Sequence, residues 1–501
     1  MMLRRSRFLP ITLFLTVIST GSADYARVEP AEPRPPQNVR KGTLEMDTWL
    51  MDNYGPPGQN SRDFYLKARE HLAASPSARL SDPAVIALAQ ELGIPFIGGP
   101  LLGELASNAI SIWFRPSSPD DLVIHLTNDQ ANKIQYPIAV EEAGYPVRQR
   151  IEKLKENTPY TYTISTLGGE QLASGSFQTA PAEKPDQSVR ITFGADFHKI
   201  GLHNPNLFHH ILEREPLAMF FYGDIAADGR RNQLNMVEAD YLLRDTSQPW
   251  SRFAARTPVY TSWDDWDYFA NDRSGLDKHI SVSDRQDLRE IWRNNWINPL
   301  PHPQREGIYF KTRLGPVEYF MLDTRSCRES QRKGDYASFL GKEQHEWLKQ
   351  GLKESTAPFK IISSGTMWSD YVSEGKDSWG IWDTAGREDI FSLIEEESIG
   401  GVLLISGDRH GARGFRIPRK SGFEFYEFGV GSLGGIKGPK GLVDNCPEQI
   451  FGYTGFEAIA FGEFTFDTSL PDPEVTFRLI NDHGTVLEEH VLNLSRLTPT
   501  S

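Results

Sequence analysis

The sequence predicts an α/β protein, with sheets covered by helices, preceded by a small β-sandwich. Three observations predict it. Between Pro100 and Pro181, short runs alternate apolar and polar residues with the two-residue period of half-buried strands. From Ile191 onward, apolar runs alternate with helical patterns, as expected of sheets flanked by helices. Four acidic or histidine signatures stand directly after apolar runs in that second part: Asp196-Phe197-His198, Gly223-Asp224, Trp263-Asp264-Asp265-Trp266-Asp267 and Gly407-Asp408-Arg409-His410. At 501 residues the chain is long enough for two or three domains.

The elements follow in order. Arg4, Arg5 and Arg7 precede a mostly apolar stretch from Phe8 to Ile18, and Gly21-Ser22-Ala23 supplies a small-residue cleavage site. Residues 1–23 are therefore expected to be a secretory signal peptide, read by the Sec or the Tat route, for a periplasmic or extracellular protein. Arg4-Arg5 before Phe8-Leu9 resembles a twin-arginine signal with the spacing one residue off. No later stretch is long and apolar enough for a transmembrane helix. Residues 24–95 form an extended leader and a helical segment, with helices expected at Phe64–Arg69 and Pro83–Leu88, the second capped by Ser81.

The β-sandwich is expected over 96–181. Strands fall at Ala109–Phe114, Leu122–Leu126 and Tyr160–Ile164, with Tyr160, Tyr162 and Ile164 on one face. Leu154 and Asn157-Thr158-Pro159-Tyr160 resemble the corner before a late strand of a fibronectin-like sandwich. Ala182–Ser188 is the linker to a domain spanning 189–495. There, strands are expected at Ile191–Ala195, Leu217–Tyr222, Pro258–Ser262, Val317–Leu322, Lys360–Ser363 and Val402–Ile405. Helices are expected at Asn206–Arg214, Asn235–Arg244, Gly341–Leu352 and Glu388–Glu396. Arg273–Trp296 and Thr366–Thr384 read as loops, and beyond Gly411 the pattern returns to strands alone.

The net charge of −14 argues against nucleic acid or an anionic membrane as main partner. It leaves room for a phosphorylated substrate, because bound cations reverse the local field. Cys327 and Cys446 are too few for a disulfide framework, and whether they pair stays open.

The four signatures concern metals. Carboxylates and imidazoles at successive strand ends can converge although distant in sequence. Asp196-x-His198 and Asp408-x-His410 share one spacing, and each is weak evidence alone. Asp264, Asp265 and Asp267 crowd three carboxylates into four residues, an arrangement that repels itself unless it is solvated or binds a cation.

Taken together the motifs resemble the PhoD-type alkaline phosphatases of the calcineurin-like metallophosphatase superfamily. The carrying segments are Pro258–Tyr268, Met321-Leu322-Asp323-Thr324-Arg325, Gly341-Lys342-Glu343-Gln344 with Trp347-Leu348, and Ser406–His410. The resemblance implies a four-layer α/β/β/α metallophosphatase domain behind the fibronectin-like sandwich. It also implies an exported phosphoesterase that hydrolyses phosphate mono- or diesters at alkaline pH through a metal-bridging hydroxide. Two divalent or mixed-valence ions are implied, drawn from Fe, Mn, Zn and Ca. By position, Asp196, His198 and His410 would hold one ion, Asp224 would bridge, and Asp265 and Asp408 would hold the second.

Departures from the family pattern are visible. Trp266 stands where the family has a histidine near the leaving group, so Asp267, His279 or a metal-bound water would have to take that role. Ile225-Ala226-Ala227 lacks the tyrosine of coloured iron sites. Ser363–Trp368 lacks another metal histidine, so the second ion would either keep more water or take a hydroxyl from Thr366. Arg325 would either meet substrate phosphate or form a structural ion pair. The alternative to an enzyme is a catalytically impaired metal- or phosphate-binding protein on the same fold.

Overall fold

The computed structural model describes residues 42–500 apart from 129, 131–132, 185, 227, 300–304 and 456–457. The expected signal peptide, and the leader up to residue 41, lie outside the described residues.

The described chain opens on three helices, α1 (Leu44–Asn53), α2 (Gln59–Ala74) and α3 (Pro83–Glu91). The hydroxyl of Thr43 caps α1 by accepting from the Met46 N–H. The N-cap of α3 is Asp82 rather than Ser81, and no side chain caps the helix. Asp82 Oδ2 is instead 2.9 Å from His71 Nε2 and accepts from the Arg79 N–H, while Pro83 has no N–H to satisfy.

Seven strands follow: β1 (Phe96–Gly103), β2 (Ile110–Pro116), β3 (Leu122–Asn128), β4 (Lys133–Ile138), β5 (Val147–Ile151), β6 (Pro159–Thr166) and β7 (Gln171–Gln178). They pair as two antiparallel sheets, β1-β2-β5 and β4-β3-β6-β7. Ile110, Ile112 and Phe114 of β2 share a core with Ile124 and Leu126 of β3 and with Tyr160, Tyr162 and Ile164 of β6. The Tyr160 hydroxyl accepts from the Lys155 N–H at 3.0 Å, closing a tyrosine corner.

The rest of the chain supplies β8 (Ser188–Gly194), α4 (Pro205–Glu213), β9 (Ala218–Tyr222), α5 (Leu234–Thr246), α6 (Gln248–Ala254), β10 (Val259–Ser262), α7 (Val282–Asn295), β11 (Phe310–Leu314) and β12 (Val317–Met321). Then come α8 (Lys342–Glu354), β13 (Phe359–Ser364), α9 (Trp379–Trp382), α10 (Thr384–Glu396), β14 (Val402–Ser406), β15 (Gly411–Pro418), β16 (Glu424–Gly431), β17 (Gln449–Thr454), β18 (Ala460–Asp467), β19 (Glu474–Asn481) and β20 (Val486–Asn493). One sheet runs β10-β9-β8-β18-β19-β20 and the other β11-β12-β13-β14-β16-β15-β17. In the first, β8, β9 and β10 are parallel; in the second, β12, β13, β14 and β16 are.

The two sheets pack face to face. Phe220 of β9 stacks on Tyr319 of β12 at 3.8 Å between centroids, and Phe428 of β16 stacks on Phe477 of β19 at 4.2 Å. Each sheet's outer face is covered by helices. Phe221 of β9 meets Trp250 and Phe253 of α6, and Phe320, Ile362 and Leu404 share a core with Leu348 of α8 and with Ile390 and Phe391 of α10. Helix, sheet, sheet and helix thus make four layers. The segment 273–296, read as a loop from sequence, holds α7 instead. Ser281 and Asp284 form a reciprocal capping box at its start, and Leu288, Ile291 and Trp292 recur at helical spacing on its buried side.

Candidate metal centre

The signature residues lie just past the carboxyl ends of β8, β9, β10 and β14, and the two sheets bring these ends together. The Asp196 N–H donates to Gly223 O, the His198 N–H to Asp224 O, and the Gly407 N–H to Gly365 O. A Cβ on Gly223 would sit 2.3 Å from Asp264 Cβ, and one on Gly407 would sit 2.8 Å from Ala195 Cβ, so glycine is what lets these loops touch. Asp196, His198, Asp224, Asp408 and His410 all take positive φ, between 41° and 66°. Aspartate and histidine tolerate that left-handed region better than most residues.

Two groups of ligand atoms converge. In the first, His198 Nε2 lies 3.2 Å from His410 Nε2, 3.6 Å from Asp196 Oδ1 and 3.5 Å from Asp224 Oδ2. His410 Nε2 is 3.6 Å from Asp196 Oδ1. Four atoms held tetrahedrally at about 2.1 Å from one ion would be about 3.4 Å apart, so this group has the size of a first-row metal site. The second group is Asp224, Asp264 and Asp265, and Asp224 is common to both. Asp265 Oδ2 accepts from the Asp272 N–H at 2.6 Å, and Asp224 Oδ1 accepts from the Trp266 N–H at 3.1 Å. Their other oxygens, Asp265 Oδ1 and Asp224 Oδ2, are buried with no hydrogen-bond donor, as are both oxygens of Asp196. Orphaned, buried carboxylate oxygens beside imidazole nitrogens form a donor set that fits a metal cation.

The electrostatics agree. Burial, and then the neighbouring aspartates, push the carboxyls of Asp196 and Asp224 far above the usual range. Asp265 is raised by burial against the opposing charge of Arg325. Asp408 is pushed up to about 7 by burial, with Arg409 opposing. A dication among these groups removes the repulsion that holds them up.

The structure places the other sequence candidates as follows. Asp408 is not in either converging group; its Oδ2 is 3.6 Å from Arg409 Nε. Arg325 is fully buried, with Nε and Nη2 both donating to Asp264 and Nη1 lying 3.1 Å from Asp377. Asp264, which sequence reasoning passed over in favour of Asp265, therefore has both oxygens engaged by one guanidinium. The signal was the crowding of carboxylates, which calls for a cation as neighbour, and the forked guanidinium of Arg325 meets that need as well as a metal does. Asp267 accepts from the N–H groups of Ile225 and Asp264, tying the β9 and β10 loops together. The rings of Trp266 and His198 are perpendicular, 6.2 Å between centroids at 88°. His279 is exposed, and Thr366 Oγ1 is buried without a partner. The side chain of Arg409 turns to the 373–377 loop, where it donates to Ser373 O and Asp377 O. Cys327 and Cys446 are both free.

A feature not visible in the motifs lies directly behind the first group. Lys199, next to His198, is buried with Nζ 3.2 Å from Asp47 Oδ1 of α1, 2.5 Å from Asp228 Oδ2 and 2.7 Å from Asp240 Oδ1 of α5. These carboxylates keep its ammonium charged although burial opposes it. Asp228 follows the Asp224 loop, so one ammonium ties both candidate ligand loops to α1 and α5.

Residues 206–449 match the family described as PhoD-like phosphatase. Alkaline phosphatase D of Bacillus subtilis (strain 168) is 24% identical over 383 residues, covering 63% of this chain and 64% of that protein. The chain thus aligns with just under two thirds of that relative's length. Among solved structures, that of PhoD superposes with a TM-score of 0.62 at 16% identity, covering 80% of this chain and 89% of the other. Purple acid phosphatase PPD1 from yellow lupin seeds gives 0.56 at 14% identity, covering 79% and 74%. The mixed α/β fold expected from the sequence is the fold these two structures share.

Proposed function

We propose that this chain, a member of the PhoD-like phosphatase family, is an exported metal-dependent phosphoesterase acting on phosphate mono- or diesters. One observation carries the reading: buried, donorless carboxylate oxygens and two imidazole nitrogens converge from four strand ends. Asp196, His198 and His410 would hold one ion and Asp224 would be shared with a second, held by Asp265 with Asp408 nearby. Bound ions would supply Lewis-acid stabilisation of the phosphoryl oxygens and a water acidic enough to act as nucleophile near neutral pH.

The chain's own residues do the rest. Arg325 acts on Asp264 rather than on substrate, and so holds the β10 loop that carries Asp265. Asp267 clamps the same loop to the one carrying Asp224. The Trp266 ring packs perpendicular to His198, and its indole has no proton to give up at useful pH. Protonation of the leaving group then falls to solvent, which favours esters whose alcohols leave easily.

The direct test is hydrolysis of p-nitrophenyl phosphate and of bis-p-nitrophenyl phosphate by purified protein, before and after chelation. Activity should vanish on chelation and return with added metal; activity that survives complete metal removal would refute the reading. Trp266 also supports a second reading, a metal- or phosphate-binding protein without turnover. That reading requires metal to bind stoichiometrically while neither ester is cleaved with any metal supplied.

A further inference from the structure

A cleft of about 590 Å³ lies between the sandwich and the helical layer of the larger unit. It is lined by Trp113 of β2, Arg148 of β5, and Arg289 and Arg293 of α7. Arg148 has partners: its Nε is 3.5 Å from Glu104 Oε2, and Nη2 donates to Asn298 O. Arg289 and Arg293 form no ion pair or hydrogen bond among the described residues, and the Nε of Arg289 is buried. The indole Nε1 of Trp113, a residue 1% exposed, is buried without an acceptor too. Arginine and tryptophan side chains are donors only. Two guanidiniums without a partner among the described residues thus lie in one cleft and lack a complement there, an acceptor carrying negative charge. Glu290 is the acid in the lining; it is exposed and pairs with neither arginine. Arg293 also repels its neighbours, adding to the effect of burial that lowers both Arg289 and Arg148. In a chain of net charge −14, this concentration of uncompensated positive charge is against the trend of the molecule.

We propose that this cleft is an oxyanion-binding site of the phosphate class, separate from the metal centre. The donors offered exceed what the two oxygens of one carboxylate take up, whereas the oxygens of a phosphate group match the forked geometry of arginine. The ligand is either free inorganic phosphate or the phosphate group of a larger ester, and these two sources are separable.

The test uses the full chain carrying Asp224→Asn, which disables the metal centre as a competing phosphate site. Equilibrium dialysis with labelled inorganic phosphate should find one equivalent bound, falling off as salt is raised. Adding Arg289→Gln and Arg293→Gln should weaken binding about tenfold or more. Arg293→Gln alone, at an exposed residue whose loss cannot unfold the chain, should weaken it about threefold or more. A parallel titration with glycerol 3-phosphate separates the sources: binding of both ligands marks a site for any phosphate group, and binding of glycerol 3-phosphate alone marks a site for phosphate esters. Absence of binding by either ligand, or binding that neither arginine change weakens, overturns the proposal.

Discussion

Five acidic and histidine residues at the strand ends adopt a left-handed backbone, at a cost of about 1–3 kcal/mol for a residue held there against its preference. Their carboxylates add like-charge repulsion, so without metal the site works against the fold. For Asp408 the folded chain favours the protonated carboxyl, with titration at about 7 instead of the ordinary 3.8. The folded state therefore binds the proton more tightly than the unfolded one. Its contribution is fully present below about pH 4 and is lost as pH rises through about 7. Asp196 and Asp224 shift the same way. Asp377, held down at about 2 by Arg328 and Arg325 against burial, loses its contribution only in more acid solution. Chelated protein should thus show a falling Tm between about pH 5 and about pH 8, and added metal should reverse the fall. A Tm of chelated protein that climbs over that range would contradict the site's electrostatics. Arg325 makes a second residue-scale case. Arg325→Met leaves Asp264 buried and unpaired, and should destabilise the fold by about 3–5 kcal/mol, measured by denaturant unfolding. Trp266→His gives a third. Restoring an ionisable ring beside His198 should raise kcat for alkyl phosphates, whose leaving groups need a proton, by about tenfold or more, while p-nitrophenyl phosphate changes little. Equal effects on both esters would show that Trp266 has no part in leaving-group chemistry.

Single elements carry the candidate metal ligands only because others brace them, and here the sequence was least legible. The strand ends could be read directly, because an apolar run followed by Asp or His needs no partner to be noticed. The brace could not: Asp47 and Lys199 look like ordinary surface charges until α1 packs beside the β8 loop, and nothing local links them. The same limit explains α7, where the capping pair Ser281 and Asp284 was present but charged residues diluted the apolar side. It explains Asp82 as well, whose carboxylate is drawn away from its own helix by His71, a contact set by how α2 and α3 pack. The brace leads to a prediction at this scale. Lys199→Met leaves Asp228 buried without its cation, while Asp47 keeps Arg69 and Asp240 keeps Arg230, and should destabilise the chain by about 3–5 kcal/mol. Because Lys199 adjoins His198 and contacts the residue beyond the Asp224 loop, metal should also bind more weakly. Asp47→Asn, which leaves two carboxylates on the ammonium, should show a smaller loss of both. Metal affinity measured by competition with a chromogenic chelator separates bracing from general instability: unchanged affinity in Lys199→Met would mean that the network serves folding alone.

For the whole molecule, the layer order was readable because each class of segment has its own period. Two-residue alternation marks strands with one wet face, and continuous runs such as Met219-Phe220-Phe221-Tyr222 mark strands covered on both. Those runs already require something on each face, and the structure supplies a second sheet on one and helices on the other. Which strands neighbour which could not be read, since β18 joins β8 across most of the chain's second half and register between distant strands leaves no local trace. The net charge of the whole chain bears on the proposed activity, because −14 would repel an anionic ester at long range, whatever a metal at the candidate centre did at contact. That repulsion reaches about 30 Å at 0.01 M ionic strength and about 8 Å at 0.15 M. Raising salt over that interval should therefore increase kcat/KM for a phosphate monoester by about two- to fivefold, through faster encounter, while kcat stays level. A kcat/KM that falls instead would mean that cations at the mouth of the site, rather than the charge of the whole protein, set the field the substrate meets.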